Sequence, residues 1–180
     1  MNGKNATRMI CEGALMIAAA QVLGYIKVFQ LPQGGSVSLG MLPIFLFAVR
    51  WGLGSGLMAG VIYGVLQFLL DGGIALGWQC ILGDYVLAYG MLGFAGLFRG
   101  RENGFAWGVL LGSFLRFLCH FTTGVTIWAQ YMPDEFFGLT MTSPYFYSLL
   151  YNGSYILGEV VLILAVGVLL KKRLRRYLLG

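Results

Sequence analysis

The chain has 180 residues, 58% of them hydrophobic and 11% charged, with a mean hydropathy of +0.79. A soluble domain carries about a quarter charged residues, so this composition excludes one, and at about 20 residues per membrane span it leaves room for about six helices and almost no extramembrane domain. The net charge of +5 gathers at the ends of apolar runs, a topology signal and not a nucleic-acid patch, and three scattered cysteines support neither a disulfide framework nor a metal site.

Six apolar spans are predicted, at residues 9–29, 39–50, 53–70, 78–98, 104–130 and 145–170, and residues 1–180 read as one all-α integral membrane bundle. Lys4 and Arg8 followed by Ala18, Ala19 and Ala20 imitate a signal peptide, but Glu12 interrupts the run, and it is read as the first span. On it Ala14 and Ala18 lie one helical turn apart, a smooth stripe suited to packing inside the bundle or to docking. The loop LPQGGSVSLGMLP follows, with Pro32, Gly34 and Gly35 as its turn residues. The second span is short: twelve residues rise only about 18 Å, so a tilted or incompletely crossing helix is expected. Gly56, Gly60 and Gly64 recur at four in the third span and Gly90, Gly93 and Gly96 at three in the fourth, which predicts close helix approach. GLGSG at 52–56 is not a phosphate cradle, because no Gly-Lys-Ser/Thr follows it. With the N-terminus in the cytoplasm, ten of the 12 Lys and Arg residues (Lys4, Arg8, Arg50, Arg99, Arg101, Lys171, Lys172, Arg173, Arg175 and Arg176) fall inside, while Asp71, Asp134 and Glu135 fall outside. An even number of spans with both termini cytoplasmic is therefore expected.

Ionisable groups within spans are costly and mark function by default; here they are Glu12, Asp84, Arg116, His120 and Glu159. Glu12 and Glu159 read as buried partners of basic groups. Arg116 and His120 share one helical face, and Arg116 is an available ion-pair partner for Asp84. Asp84 and Tyr85 open the fourth span, His120 and Trp128 lie along the outer half of the fifth, and Tyr147 and Asn152 open the sixth. A carboxylate, a histidine, an asparagine and several aromatics thus converge at one depth. Such a set suits a small, flat, cationic organic ligand: each aromatic face attracts a cation by roughly 0.5 to 2 kcal/mol, and a carboxylate neutralises it and accepts its hydrogen bonds. A sugar would call for more amides and carboxylates.

LPQGGSVSLGMLPIFLFAVRWG after the first span, GDYVLAYGMLGFAGL in the fourth, RFLCHFTTGVTIWAQYMP in the fifth and YSLLYNGSYIL in the sixth resemble the thiamine-specific substrate-binding (S) components of energy-coupling factor (ECF) vitamin transporters. The resemblance runs in order over nearly the whole chain. It puts the family's acidic residue and following tyrosine on Asp84 and Tyr85, its histidine on His120, its tryptophan on Trp128, its tyrosine and asparagine on Tyr147 and Asn152, and a stacking aromatic on Tyr63. The acidic position is commonly Glu in that family and is the shorter Asp here; for the family's loop aromatics Trp78 is the candidate. The resemblance implies a binding subunit of the prokaryotic cell membrane, with no catalysis and no cofactor. It would capture thiamine from outside and release it with a transmembrane coupling subunit, docked on Ala14 and Ala18, and two ATPase subunits. The loop with Gly34 and Gly35 would act as a lid. The rivals are an S component for a thiazole precursor, a pyrimidine precursor or riboflavin, an intramembrane enzyme using Asp84 and His120, and an ion-driven transporter, for which no internal repeat is seen.

Overall fold

Apolar residues surround Leu42–Trp51 on every side, and that ten-residue helix (α2) is buried from Leu42 to Arg50. A helix apolar all round belongs in the middle of a bundle. The computed structural model, which describes residues 3–70 and 75–179, wraps the other helices around it: α1 (Gly3–Tyr25), α3 (Leu53–Leu70), α4 (Trp78–Phe98), α5 (Gly104–Thr126) and α6 (Pro144–Leu169). These five are long and apolar enough to cross a membrane. Asp71 lies outside the described residues. The outward faces keep large apolar side chains such as Leu15, Val22, Leu157 and Val161 exposed, as a lipid solvent permits.

At 1.5 Å per residue α2 rises about 15 Å, half of a hydrocarbon core about 30 Å thick. The apolar run begins at residue 39, but Leu39, Gly40 and Met41 belong to the approach to the helix. The segment between α1 and α2 turns back on itself as an antiparallel ribbon pairing Phe29–Gln30 with Ser36–Val37. A second ribbon, Glu135–Phe136 with Leu139–Thr140, connects α5 to α6. The chain is thus mostly helical but not wholly so. Both connections dip toward the helices and must satisfy their own backbone groups there, which a hydrogen-bonded ribbon does.

The fourth helix is not one regular α-helix. An α-turn at Trp78–Cys80 gives way to a π-helix at Ile81–Leu87, a second α-turn at Ala88–Gly90 and a 3₁₀-helix at Met91–Phe98. The glycine spacings match these geometries. A 3₁₀-helix has three residues per turn, so Gly90, Gly93 and Gly96 stack along one edge of α4; a Cβ on Gly93 would lie 2.2 Å from the Leu57 backbone nitrogen. The four-residue spacing on α3 makes the matching stripe, where a Cβ on Gly64 would lie 2.2 Å from the Tyr85 carbonyl oxygen. Backbone packs directly on backbone along this seam.

At the end away from the first ribbon, Glu12 of α1 pairs with Arg50 of α2 at 3.0 Å. The basic C-terminal segment forms a further helix, α7 (Lys171–Leu179), whose Tyr177 hydroxyl donates to Glu12 and whose ring lies under the Arg50 guanidinium, 4.4 Å from its centre. Leu174, Tyr177 and Leu178 pack on the core while Lys171, Lys172, Arg173, Arg175 and Arg176 are exposed.

Candidate functional site

The half-depth left above α2 contains a cavity of about 170 Å³. Its floor includes Met41 at the start of α2; its walls come from the ends of α1, α3 and α5 and the first halves of α4 and α6; Gln30 to Ser36 of the first ribbon cover it.

Asp84 stands at the middle of the π-helix and is buried. Both carboxylate oxygens are fully engaged. Oδ1 lies 3.0 Å from His120 Nδ1 and accepts the Thr123 hydroxyl, while Oδ2 accepts Cys80 Sγ–H at 3.0 Å and the Trp128 indole N–H at 2.9 Å. A carboxylate has about four acceptor positions, so none is left idle. With its proton assigned to Nδ1 by this contact, His120 presents Nε2 as an acceptor. That nitrogen is buried and has no hydrogen-bond partner among the described residues.

Arg116 does not pair with Asp84, the partner its position on α5 made available. It reaches Glu159 of α6 at 2.5 Å and Met41 Sδ at 3.1 Å, and its guanidinium carbon lies 4.8 Å from the Tyr89 ring centre and 5.8 Å from that of Tyr155. The separation is one of depth: one turn along α5 divides the His120–Asp84 contact from the Arg116–Glu159 pair below it. Glu12 and Glu159 both serve basic groups.

Asp84, Tyr85, His120, Trp128, Tyr147, Asn152 and Tyr63 all line the cavity. Trp78 does not, and is 69% exposed. Ala14 and Ala18 are exposed on α1, away from the cavity. Asn152 is tied down, donating to the His120 carbonyl at 3.2 Å and accepting from Tyr155 at 3.1 Å.

Several lining residues were not singled out from the sequence. Tyr151 and Tyr155 follow Tyr147 at intervals of four and share its face, a periodicity that was there to be read. Their rings adjoin in series, with centroids 5.6 Å apart for Tyr147 and Tyr151 and 5.9 Å for Tyr151 and Tyr155. Thr123 lines the cavity with no such signal, and Cys80, outside the lining, donates to Asp84 from behind it with none either. Gln33 has a left-handed backbone (φ 66°) at the tip of the ribbon. Its amide accepts from the Tyr147 hydroxyl at 2.8 Å and donates to the Tyr131 carbonyl at 3.1 Å. Beside it the Tyr151 hydroxyl donates to the Pro32 carbonyl and accepts from Gly35 N–H at 3.0 Å. A Cβ at Gly35 would lie 2.8 Å from Tyr155 Cδ1, so only glycine lets the ribbon lie this close to α6.

The thiamine transporter protein family matches residues 10–178. The chain belongs to that family. Among similar proteins, the thiamine transporter ThiT of Bacillus subtilis (strain 168) is 30% identical over 177 residues, covering 90% of this chain and 89% of its own. The thiamine transporter ThiT of Lacticaseibacillus paracasei is 33% identical over 180 residues, covering 90% and 86%. A solved structure of ThiT from Listeria monocytogenes superposes with a TM-score of 0.83 at 25% identity, over 96% of this chain and 98% of that one. As a member of a family of transporters the protein moves a solute and is not an enzyme, and with its apolar helices it is a multi-pass protein of the cell membrane.

Proposed function

We propose that the chain is the thiamine-binding S component of an ECF-type uptake transporter. The observation that carries this reading is the Asp84 carboxylate, buried in a cavity walled by tyrosine rings. Arg116 and Glu159 neutralise each other, so Asp84 is the anion available to a cationic heterocycle. A carboxylate buried at this depth is costly even when hydrogen-bonded, and a bound cation compensates its charge. The aminopyrimidine is held by Asp84, Tyr85 and His120, whose idle Nε2 accepts from the amino group, with Tyr63 stacking nearby. The thiazolium lies near Trp128, Tyr147 and Asn152, where aromatic faces favour its charge. Thiamine enters from outside beneath the ribbon that carries Gly34 and Gly35, which acts as a lid. The molecule forms a single membrane domain that crosses six times with both termini in the cytoplasm. This is supported by Arg99, Arg101 and the basic α7 lying at the end away from the cavity. Release requires a transmembrane coupling subunit, docked on the exposed Ala14–Ala18 stripe, and two ATPase subunits.

The test begins with the purified chain equilibrated with a mixture of vitamins and their precursors, the retained compound being identified by mass spectrometry. Thiamine is the expected ligand; riboflavin or a neutral precursor overturns the assignment. In a tryptophan-fluorescence titration Asp84→Asn weakens thiamine binding about tenfold to a hundredfold, the loss of one charge-assisted contact. Unchanged affinity removes Asp84 from the site. Vesicles holding the chain alone accumulate no thiamine, and sustained accumulation would defeat the subunit reading.

A further inference from the structure

Each oxygen of the Asp84 carboxylate has two donors of different kinds. One comes from a group placed in the ligand site, His120 on Oδ1 and Trp128 on Oδ2; the other comes from a residue given no role so far, Thr123 on Oδ1 and Cys80 on Oδ2. We infer that Thr123 and Cys80 are positioning residues that fix the plane and depth of the Asp84 carboxylate, so that its charge faces the ligand. This inference rests on the thiamine reading above.

Local geometry points the same way on both sides. Cys80 is wholly buried, does not line the cavity, and precedes Asp84 by four residues, so its thiol meets the carboxylate from within α4 itself. Thr123 approaches from α5, and the approach depends on Gly83. A Cβ there would lie 2.5 Å from the Thr123 methyl carbon, so a side chain next to Asp84 would hold the two helices apart and withdraw the hydroxyl. The same hydroxyl is 3.1 Å from the His120 carbonyl and 3.3 Å from that of Cys119. A single proton serves one acceptor at a time, and the charged carboxylate is the stronger one. With Asp84 absent the threonine would bond back to its own helix, as threonines in spans do.

The π-helix adds a reason for two extra donors. A side chain on a widened turn is less constrained by its own helix than one on a regular turn, and π segments recur at functional sites. A one-methylene carboxylate held by a donor on each oxygen from rigid helices cannot rotate about its Cβ–Cγ bond. Trp128 sits in the short 3₁₀ turn Trp128–Tyr131 beyond α5 and is the donor with most freedom to give way to a ligand.

The test is a titration of the full chain, purified in detergent, with thiamine and with its uncharged deaza isostere, in which carbon replaces the thiazolium nitrogen. Thr123→Val keeps shape and loses the donor; it is expected to weaken thiamine binding about tenfold to a hundredfold and the neutral isostere much less. Thr123→Ser restores thiamine affinity to within about threefold of the unmodified chain. Cys80→Ala gives a smaller loss of the same kind, about threefold to tenfold, and Cys80→Ser recovers it. A role confined to packing lowers both affinities together and is not rescued by serine, and that result overturns the inference. So does unchanged cation preference in both Thr123→Val and Cys80→Ala. If Thr123→Val does not yield folded protein, the Cys80 pair decides by the same comparison. Failure of the unmodified chain to bind thiamine overturns the functional reading and this inference with it, whereas loss of the cation preference only in the variants supports both.

Discussion

Arg116 and His120 lie one helical turn apart on α5 yet serve different acids, Arg116 taking Glu159 at 2.5 Å and His120 taking Asp84 at 3.0 Å. From the sequence the two side chains share a face and Asp84 is the acid offered to Arg116; the pairing is set by depth along α4 and α6, which no spacing within one helix records. The Arg116–Glu159 pair is wholly internal, and breaking it from one side strands a buried charge. Glu159→Gln is therefore expected to cost about 3 to 5 kcal/mol, read as a lowered thermal midpoint of the purified protein. Replacing both partners by methionine removes charge and counter-charge together, and most of the lost midpoint returns. A single variant as stable as the parent would mean that water or another group satisfies Arg116. The tyrosines teach a similar lesson. Tyr147 was legible as a candidate because of its company, while Tyr151 and Tyr155, on the same face of α6, were passed over: an aromatic within a span serves packing as readily as binding.

For the elements, the glycine spacings were legible and their geometric cause was not. Repeats of four and of three both announce close packing, but a repeat of three lines up best along one edge in a 3₁₀ winding, and Met91–Phe98 has that winding where its glycines meet the α3 backbone. The π segment around Asp84 leaves no compositional trace, since it is fixed by what α3 and α5 demand of α4 from either side. Gly64→Ala puts a methyl into the Tyr85 carbonyl and forces α3 from α4 beside Asp84. Thiamine affinity is expected to fall at least about tenfold with a lowered thermal midpoint, whereas Gly54→Ala, where a Cβ meets nothing within 4 Å, changes neither. Equal behaviour of the two would separate the seam from the site. At the far end the C-terminal run was read as a charge signal, and it also forms a helix whose tyrosine bonds Glu12 of α1. Burial first, and then Glu12, hold the Tyr177 phenol above its ordinary value. A raised value in the folded state means a contribution fully present below about pH 10 and lost as pH rises beyond it. Tyr177→Phe is expected to cost about 1 kcal/mol at neutral pH and to abolish that part of the alkaline loss, as thermal midpoints across a pH series would register.

Taken whole, the molecule divides its work between two ends and one flank, and charge and composition announced more of this than any motif did. The cavity end gathers the carboxylate, the rings and the polar ribbon; the other end gathers Arg50, Arg99, Arg101 and α7. Neither end accounts for α1, which shares little of its surface with the bundle and turns Ala14 and Ala18 outward. In lipid, apolar surface alone does not drive helices together, so a smooth stripe on an outer helix is useful where another backbone must come close. Ala14→Leu with Ala18→Leu adds bulk at positions that are exposed on this chain. Thiamine affinity of the isolated double variant is therefore expected to equal that of the parent in a fluorescence titration. Uptake of labelled thiamine by cells that express it with the coupling subunit and the two ATPases is expected to fall at least about tenfold, because two leucines at a backbone-to-backbone contact cannot be absorbed by rotamer changes. Loss of binding by the isolated double variant would place the stripe inside the working bundle, and full uptake would place the docking surface on another helix.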